Sequence, residues 1–199
     1  MNWNKSWRDV RTAQAQADNA KREMQHWKRY DVYKVFVDIA RDLNRTQPLN
    51  LIDIGCGAGQ YSDLWRYGGG ALYCGCDHPR AIHLARENYK HDNYSFSSEC
   101  DLTDVWNDVA LSACSIEYAE YPPAELYNIL QTFAGTWVIL HRLRFHDDHG
   151  KFVVEGSWGA IDRYLWRWNA EELDILLEPY KVEKYNWDGG RQWTYVITK

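Results

Sequence analysis

Leu51-Ile52-Asp53-Ile54-Gly55-Cys56-Gly57-Ala58-Gly59-Gln60 is the stretch on which the reading of this chain turns. A short apolar run carrying one acid stops at three alternate glycines, and Tyr61 to Tyr67 then reads as a short helix. A strand that enters a glycine turn and leaves as a helix exposes backbone N–H groups at the carboxyl edge of a sheet, where open α/β sheets bind ligands. Alternate glycines remove the side chains that would hold a nucleotide-type ligand off that backbone. Dinucleotide enzymes use G-x-G-x-x-G, with the pyrophosphate on the helix N-terminus and a third glycine for close packing. Here the spacing is G-x-G-x-G, and Gln60 stands where that third glycine would be.

Outward from this turn the chain alternates between two periodicities. Downstream, Ala71 to Cys76, Tyr94 to Ser98, Val109 to Cys114 and Thr136 to Leu140 read as strands. The last of these is a near-continuous apolar run, as a strand covered on both faces requires. Pro79 suits the first turn of a helix to about Tyr89, with Ala81, Ile82 and Ala85 on its inner face, and Pro123 to Phe133 reads as another. Asn169 followed by Glu172 resembles a capping box opening a helix through Leu177. Tyr180 to Asn186 and Trp193 to Thr198 close the chain around a turn at Asp188-Gly189-Gly190, too short for a crossover helix, so the last strand must run antiparallel. The expected fold is α/β: a Rossmann-like, doubly wound, mostly parallel seven-stranded sheet with an antiparallel last strand. Upstream, Val10, Ala13, Ala17, Ala20, Met24 and Trp27 recur at helical spacing over residues 8–28, and Val32, Phe36, Ile39 and Leu43 form a second stripe. Residues 1–48 are therefore expected to be an N-terminal helical extension, a substrate cap or docking arm, ahead of the domain at 49–199.

Composition bounds the function. With 199 residues, 45% hydrophobic and 26% charged, the chain suits one globular domain, and no run approaches the length of a membrane span. A net charge of −5 argues against a dedicated nucleic-acid binder. Residues 1–48 nevertheless carry +4, leaving −9 for the rest, so a basic arm could touch phosphate or an acidic partner. Five cysteines and no apolar leader segment among Lys5, Arg8, Asp9 and Asp18 suggest reduced thiols and a cytoplasmic location. Cys74 and Cys76 are too close for a metal knuckle and fit two same-face residues of one strand. Eleven Trp in a chain that is 15% aromatic suggest a lined concave site or an interface.

The segment L-I-D-I-G-C-G-A-G-Q resembles the first motif of the class I S-adenosylmethionine-dependent methyltransferases, and the resemblance runs from about residue 50 to the end of the chain. It implies S-adenosyl-L-methionine as cofactor. Asp53, Gly55, Cys56, Gly57, Gly59 and Gln60 correspond to the glycine motif, with Cys56 a small turn residue rather than a nucleophile. Asp77, 22 residues after Gly55, and the neighbouring His78 resemble the exit of the second strand, where an acid accepts from both ribose hydroxyls. Asp101-Leu102 resembles the pair that meets adenine, and Ser115-Ile116-Glu117-Tyr118 the segment beside the methionine part and the methyl group. The N/D-P-P-Y/F motif of amino-methylating nucleic-acid enzymes is absent: Glu120-Tyr121-Pro122-Pro123 is followed by Ala124. That favours a small-molecule acceptor, methylated at O or N. An RNA- or protein-directed methyltransferase and a catalytically inactive cofactor-binding scaffold are the alternatives.

Long loops inside compact domains are usually functional. His141 through Trp168, at the same edge as the glycine turn, is therefore expected to be an insertion covering the acceptor, helped by Tyr30 or Tyr33. Arg142, Trp158 and Tyr164 are its candidate contacts. His141, placed directly after a strand, is the first candidate for general base, with Glu117, Tyr118 and His146 as alternatives. His146-Asp147-Asp148-His149 reads as a polar loop tip, and no metal is demanded.

Overall fold

The computed structural model describes residues 10–158 and 161–199; the side chains of 10–12 and 155–163 lie outside that description, and with them the predicted Trp158 contact. Two helices come first, α1 (Val10–Met24) and α2 (Asp31–Leu43). Then follow β1 (Leu51–Ile54), α3 (Tyr61–Tyr67), β2 (Tyr73–Cys76), α4 (Pro79–Asn88), β3 (Tyr94–Ser97) and β4 (Val109–Ala113). A single 3-10 turn (Ile116–Tyr118) leads to α5 (Pro122–Thr132) and β5 (Trp137–Leu143). The chain ends with β6 (Lys151–Trp158), β7 (Ile161–Arg167), α6 (Ala170–Leu177), β8 (Lys181–Trp187) and β9 (Gln192–Thr198).

Seven strands form one sheet in the order β3-β2-β1-β4-β5-β9-β8, in which only β9 runs antiparallel to its neighbours. Alternation within the strands explains why helices cover both faces. Leu51, Val109, Leu111, Ile139 and Val196 face a core completed by Phe36, Tyr61 and Trp65 of α2 and α3. Ile52, Ala110, Val138, Leu140 and Ile197 face the other, closed by Leu126 and Ile129 of α5 and Leu173 of α6. Each buried large side chain contributes about 1.5–3 kcal/mol by leaving water, so two dry faces fix the strand register. Asn169 caps α6 as its spacing suggests, its side chain accepting from the Glu172 N–H at 3.0 Å, a contact worth about 1 kcal/mol.

Strand order reverses between β1 and β4. From β1 the chain steps to β2 and β3 on one side, and from β4 to β5 on the other. A crevice opens at the carboxyl ends of the two strands at such a switch point.

Two expectations are corrected. The stretch from His141 to Trp168 is not an open loop: β5 continues to Leu143 through a bulge, and β6 and β7 form an antiparallel ribbon. Phe152 meets Trp166 edge to face at 4.9 Å, and Trp166 meets Trp168 at 6.3 Å, so part of the aromatic surplus staples this ribbon. The thiols are not all reduced. Cys76 and Cys100, with Cα atoms 5.4 Å apart, are joined in a disulfide that ties the end of β2 to the segment after β3. No helix among the described residues is long and apolar enough to cross a membrane. Unfolded without reductant, the chain should show three titratable thiols, Cys56, Cys74 and Cys114, and five after reduction. Five before reduction would contradict the pairing.

Candidate active site

Gly55, Gly57 and Gly59 all have positive φ (73°, 55° and 88°), the left-handed region closed to most side chains. Space forbids them as well. A Cβ on Gly55 would sit 2.4 Å from the Ser115 Cβ, and one on Gly57 would sit 2.7 Å from the Gln16 amide. The turn is fastened on both sides. The N–H groups of Gly55 and Cys56 donate to the Cys76 carbonyl at 2.8 and 3.1 Å. The Gly57 N–H donates to Asp77 Oδ2 at 2.8 Å, while Asp77 Oδ1 accepts from the His78 N–H at 2.5 Å. Burial raises the Asp77 pKa, and the two backbone donors work in the opposite direction.

Across the switch point, the Ser115 hydroxyl donates to the Ile54 carbonyl and lies 2.8 Å from the Ser112 hydroxyl. Cys114, just before it, holds φ 57°, a conformation that costs a non-glycine residue of order 1–3 kcal/mol. Between these two turns lies a cleft of about 240 Å³, lined by Gly55, Asp77, Cys114, Ser115, Ile116 and Tyr118, with Ile129 of α5 along one wall. Ala13 and Gln16 of α1 line it too. The alanines explain how α1 comes so close: Ala17 and Ala20 pack against Ala58 of the turn and Leu84 of α4.

Solved structures share this fold. CalS10, an amino pentose methyltransferase from Micromonospora echinaspora, superposes with a TM-score of 0.62 at 15% identity over 85% of this chain and 92% of its own. Magnesium protoporphyrin IX methyltransferase from Synechocystis gives 0.59 at 14% identity over 92% and 83%. The 1,6-didemethyltoxoflavin-N1-methyltransferase of Burkholderia thailandensis gives 0.57 at 13% over 92% and 85%. The chain has the class I S-adenosylmethionine-dependent methyltransferase fold. No protein-family model matches it, and no curated protein matches it in sequence.

Within this methyltransferase fold the predicted residues fall into separate groups. Gly55, Asp77, Ser115 and Tyr118 share the cleft. Asp53, Cys56, Gly59 and Gln60 form the underside of the turn, where Gly59 faces Phe96 and Ala85. Burial pushes the Cys56 thiol well up, which suits a packing role. His78 caps α4. Asp101 is exposed, held below its ordinary pKa by the Thr103 hydroxyl and N–H at 2.7 and 3.0 Å, and neither it nor Leu102 lines the cleft. Sequence reasoning missed Ala13, Gln16 and Cys114. The alanine spacing marked a helix face there without marking its partner.

The candidate bases also separate. His141 lies inside β5, not after it, opposite Ala113 and Thr194. Its ring is fully buried among Phe36, Tyr61 and Trp187, with Nδ1 2.7 Å from the Thr194 hydroxyl. Burial, aided by the Arg142 charge, lowers its pKa to about 3, so it stays a neutral packing residue. His146 sits in the turn after β5, its Nδ1 accepting from the Asp148 N–H at 3.1 Å, and His149 pairs with Glu172 at 2.7 Å. Glu117 is different. It is 1% exposed in the 3-10 turn between two cleft-lining residues, and burial raises its pKa to about 7 against the pull of Trp168, Arg144 and Arg142.

Of the predicted acceptor contacts, Tyr33 is buried, its hydroxyl 2.5 Å from Glu23, and Tyr30 is partly exposed against its edge. Arg142 bulges out of β5 at φ 70°. Burial opposes its charge, but Tyr61, Cys114, Tyr33 and Glu23 together raise its pKa. Tyr164 belongs to the ribbon, opposite Val154.

Asp53 offers a test of the underside. It is fully buried, with Oδ2 accepting from the Tyr73 hydroxyl at 2.5 Å, and burial raises its pKa to about 7. A carboxyl whose folded pKa exceeds its unfolded value of roughly 4 binds more protons folded than unfolded between those limits, so it loses stability as pH rises from about 4 to 7. Asp53→Asn is free of this dependence. Its melting temperature relative to the parent should therefore climb between pH 5 and 8, and a constant difference would contradict the raised pKa.

Proposed function

We propose that this chain is an S-adenosyl-L-methionine-dependent methyltransferase acting at O or N of a small-molecule acceptor. The observation that carries the reading is the cleft at the β1–β4 switch point, where a side-chain-free turn and the Asp77 carboxylate share one wall. Each Asp77 oxygen already holds one backbone N–H and keeps a further lone pair, which suits a vicinal diol such as ribose. The site also fits in shape: the atoms nearest to a side chain added at Gly57 belong to the end of Gln16, a group that can swing aside. The solved methyltransferases with the same fold include SAM-bound and S-adenosylhomocysteine-bound forms, which supports the cofactor assignment.

When bound, the cofactor supplies a methyl group on a sulfonium that is already a good leaving group. The chain must then position the acceptor and accept a proton. Ser115, pinned to Ile54 and Ser112, fixes the wall beside the turn. Glu117 is the proposed general base in place of His141: a carboxyl that titrates near neutrality holds a proton as readily as it releases one. β6 and β7 are the proposed acceptor cover: β7 packs on the 3-10 turn that carries Glu117, and Trp168 following β7 favours the charged form of its carboxyl. α1 takes the part of the cap over residues 55–59.

Titration calorimetry with S-adenosylhomocysteine tests the reading. The parent should bind, and Asp77→Ala should bind about tenfold or more weakly, as expected for two lost hydrogen bonds to a charged group. No binding by the parent would favour the inactive scaffold, and equal binding by the variant would remove the ribose assignment. For the base, the carboxyl carbon signal that disappears in Glu117→Gln should titrate in the parent with a midpoint near pH 7. A midpoint near 4.5 would disqualify it.

A further inference from the structure

Among the described residues, the cleft is lined by ionised groups of one sign: the Asp77 and Glu125 carboxylates, with no lysine, arginine or histidine. Most of the remaining wall is small or apolar, including Ile54, Ile116, Ala119 and Ile129. Asp77 is already engaged by the Gly57 and His78 N–H groups. Glu125 is not. It stands in the first turn of α5, four residues before Ile129, so one helix face turns both toward the cleft. It is exposed, and its carboxylate has no hydrogen-bond or ion-pair partner among the described residues. α5 brings few compensating donors. Pro122 and Pro123 open it, and prolines lack the N–H groups with which a helix N-terminus attracts anions. Arg142 and Arg144 act on Cys114 through their charge, but neither lines the cleft, and the carboxylates of Glu23 and Glu117 draw on the same charges.

We infer that the acceptor is a small amine, bound as its ammonium ion, and that Glu125 is the residue that selects it. The inference rests on the methyltransferase reading and narrows its choice of O or N to nitrogen. An ammonium that leaves water for the cleft gives up hydration, and a carboxylate at the mouth replaces it with a charge-assisted hydrogen bond. A carboxylate or phosphate ligand would instead meet like charge from Asp77 and Glu125 together. Tyr118 lines the same cleft and adds an aromatic ring, a group that attracts cations. The net charge of −5 has the matching sign for drawing a cation in. Before the nitrogen has a free lone pair, the ammonium must pass one proton to a base. Glu117, the proposed base, belongs to the 3-10 turn whose Ile116 and Tyr118 line the cleft.

The probes are benzylamine, benzyl alcohol and benzoate, titrated with and without S-adenosylhomocysteine and followed through the backbone N–H signals of Ala119 and Glu125. Benzylamine should shift those signals saturably and bind at least about tenfold more tightly than the other two. Glu125→Gln, at an exposed position, should erase that preference and leave benzyl alcohol binding as in the parent. Equal binding of the three probes, tighter binding of benzoate, or an amine preference that survives Glu125→Gln would overturn the inference. So would S-adenosylhomocysteine binding about tenfold more weakly to Glu125→Gln, because the carboxylate would then belong to the cofactor. A lysine-containing peptide that displaces benzylamine at lower concentration would overturn the small-molecule class in favour of a protein acceptor. The cofactor titration separates the two readings. Cofactor binding without amine preference removes only the role of Glu125. Amine preference without cofactor binding removes the methyltransferase reading and leaves a cation site on a scaffold.

Discussion

The hydrogen bond from the Gly57 N–H to the Asp77 carboxylate is the constraint around which the site is arranged. It joins the turn after β1 to the first residue after β2, and with the two donors to the Cys76 carbonyl it holds three successive backbone amides to a neighbouring strand. A turn with positive φ at three glycines would otherwise sample many shapes, since glycine loses the most freedom on ordering. Pinning it in advance means that a ligand does not have to order the backbone when it binds.

The same bond explains why the surroundings are so intolerant. Ser115 fills the space above Gly55, Gln16 covers Gly57, and Phe96 with Ala85 closes on Gly59. Behind the turn, Asp53 and Tyr73 form a buried polar pair where apolar packing would be simpler. A buried carboxyl held near neutrality is costly, and such groups persist mainly beside functional sites. Glu117 repeats the pattern on the other side of the switch point, under the ribbon. The cleft thus has a protonatable carboxyl behind each wall and strained backbone at Cys114 between them.

Much of this was legible in the residues themselves. Apolar runs at 51–54, 109–114 and 136–140 read as strands, and two-faced burial leaves few alternatives to a doubly wound sheet. Asp77 was legible through the resemblance, because it ends the second apolar run 22 residues after Gly55, where the family carries its ribose-binding acid. The rest depended on distant contacts. β5 runs past Leu140 through a histidine and an arginine, polar letters that read as a loop; a bulge with positive φ at Arg142 lets the strand continue with His141 buried and Arg142 half-buried. The β6–β7 ribbon depends on rings fourteen residues apart, Phe152 and Trp166, and the disulfide on Cys76 meeting Cys100 across two strands. No local pattern announces either.

The most direct test is a crystal structure with S-adenosylhomocysteine. The account requires the ribose hydroxyls on Asp77, the Gln16 side chain moved off Gly57, and the sulfur facing the wall of Cys114 to Tyr118. A ligand bound elsewhere on the chain, with Gln16 still lying over Gly57 and Asp77 turned from the nucleoside, would contradict it.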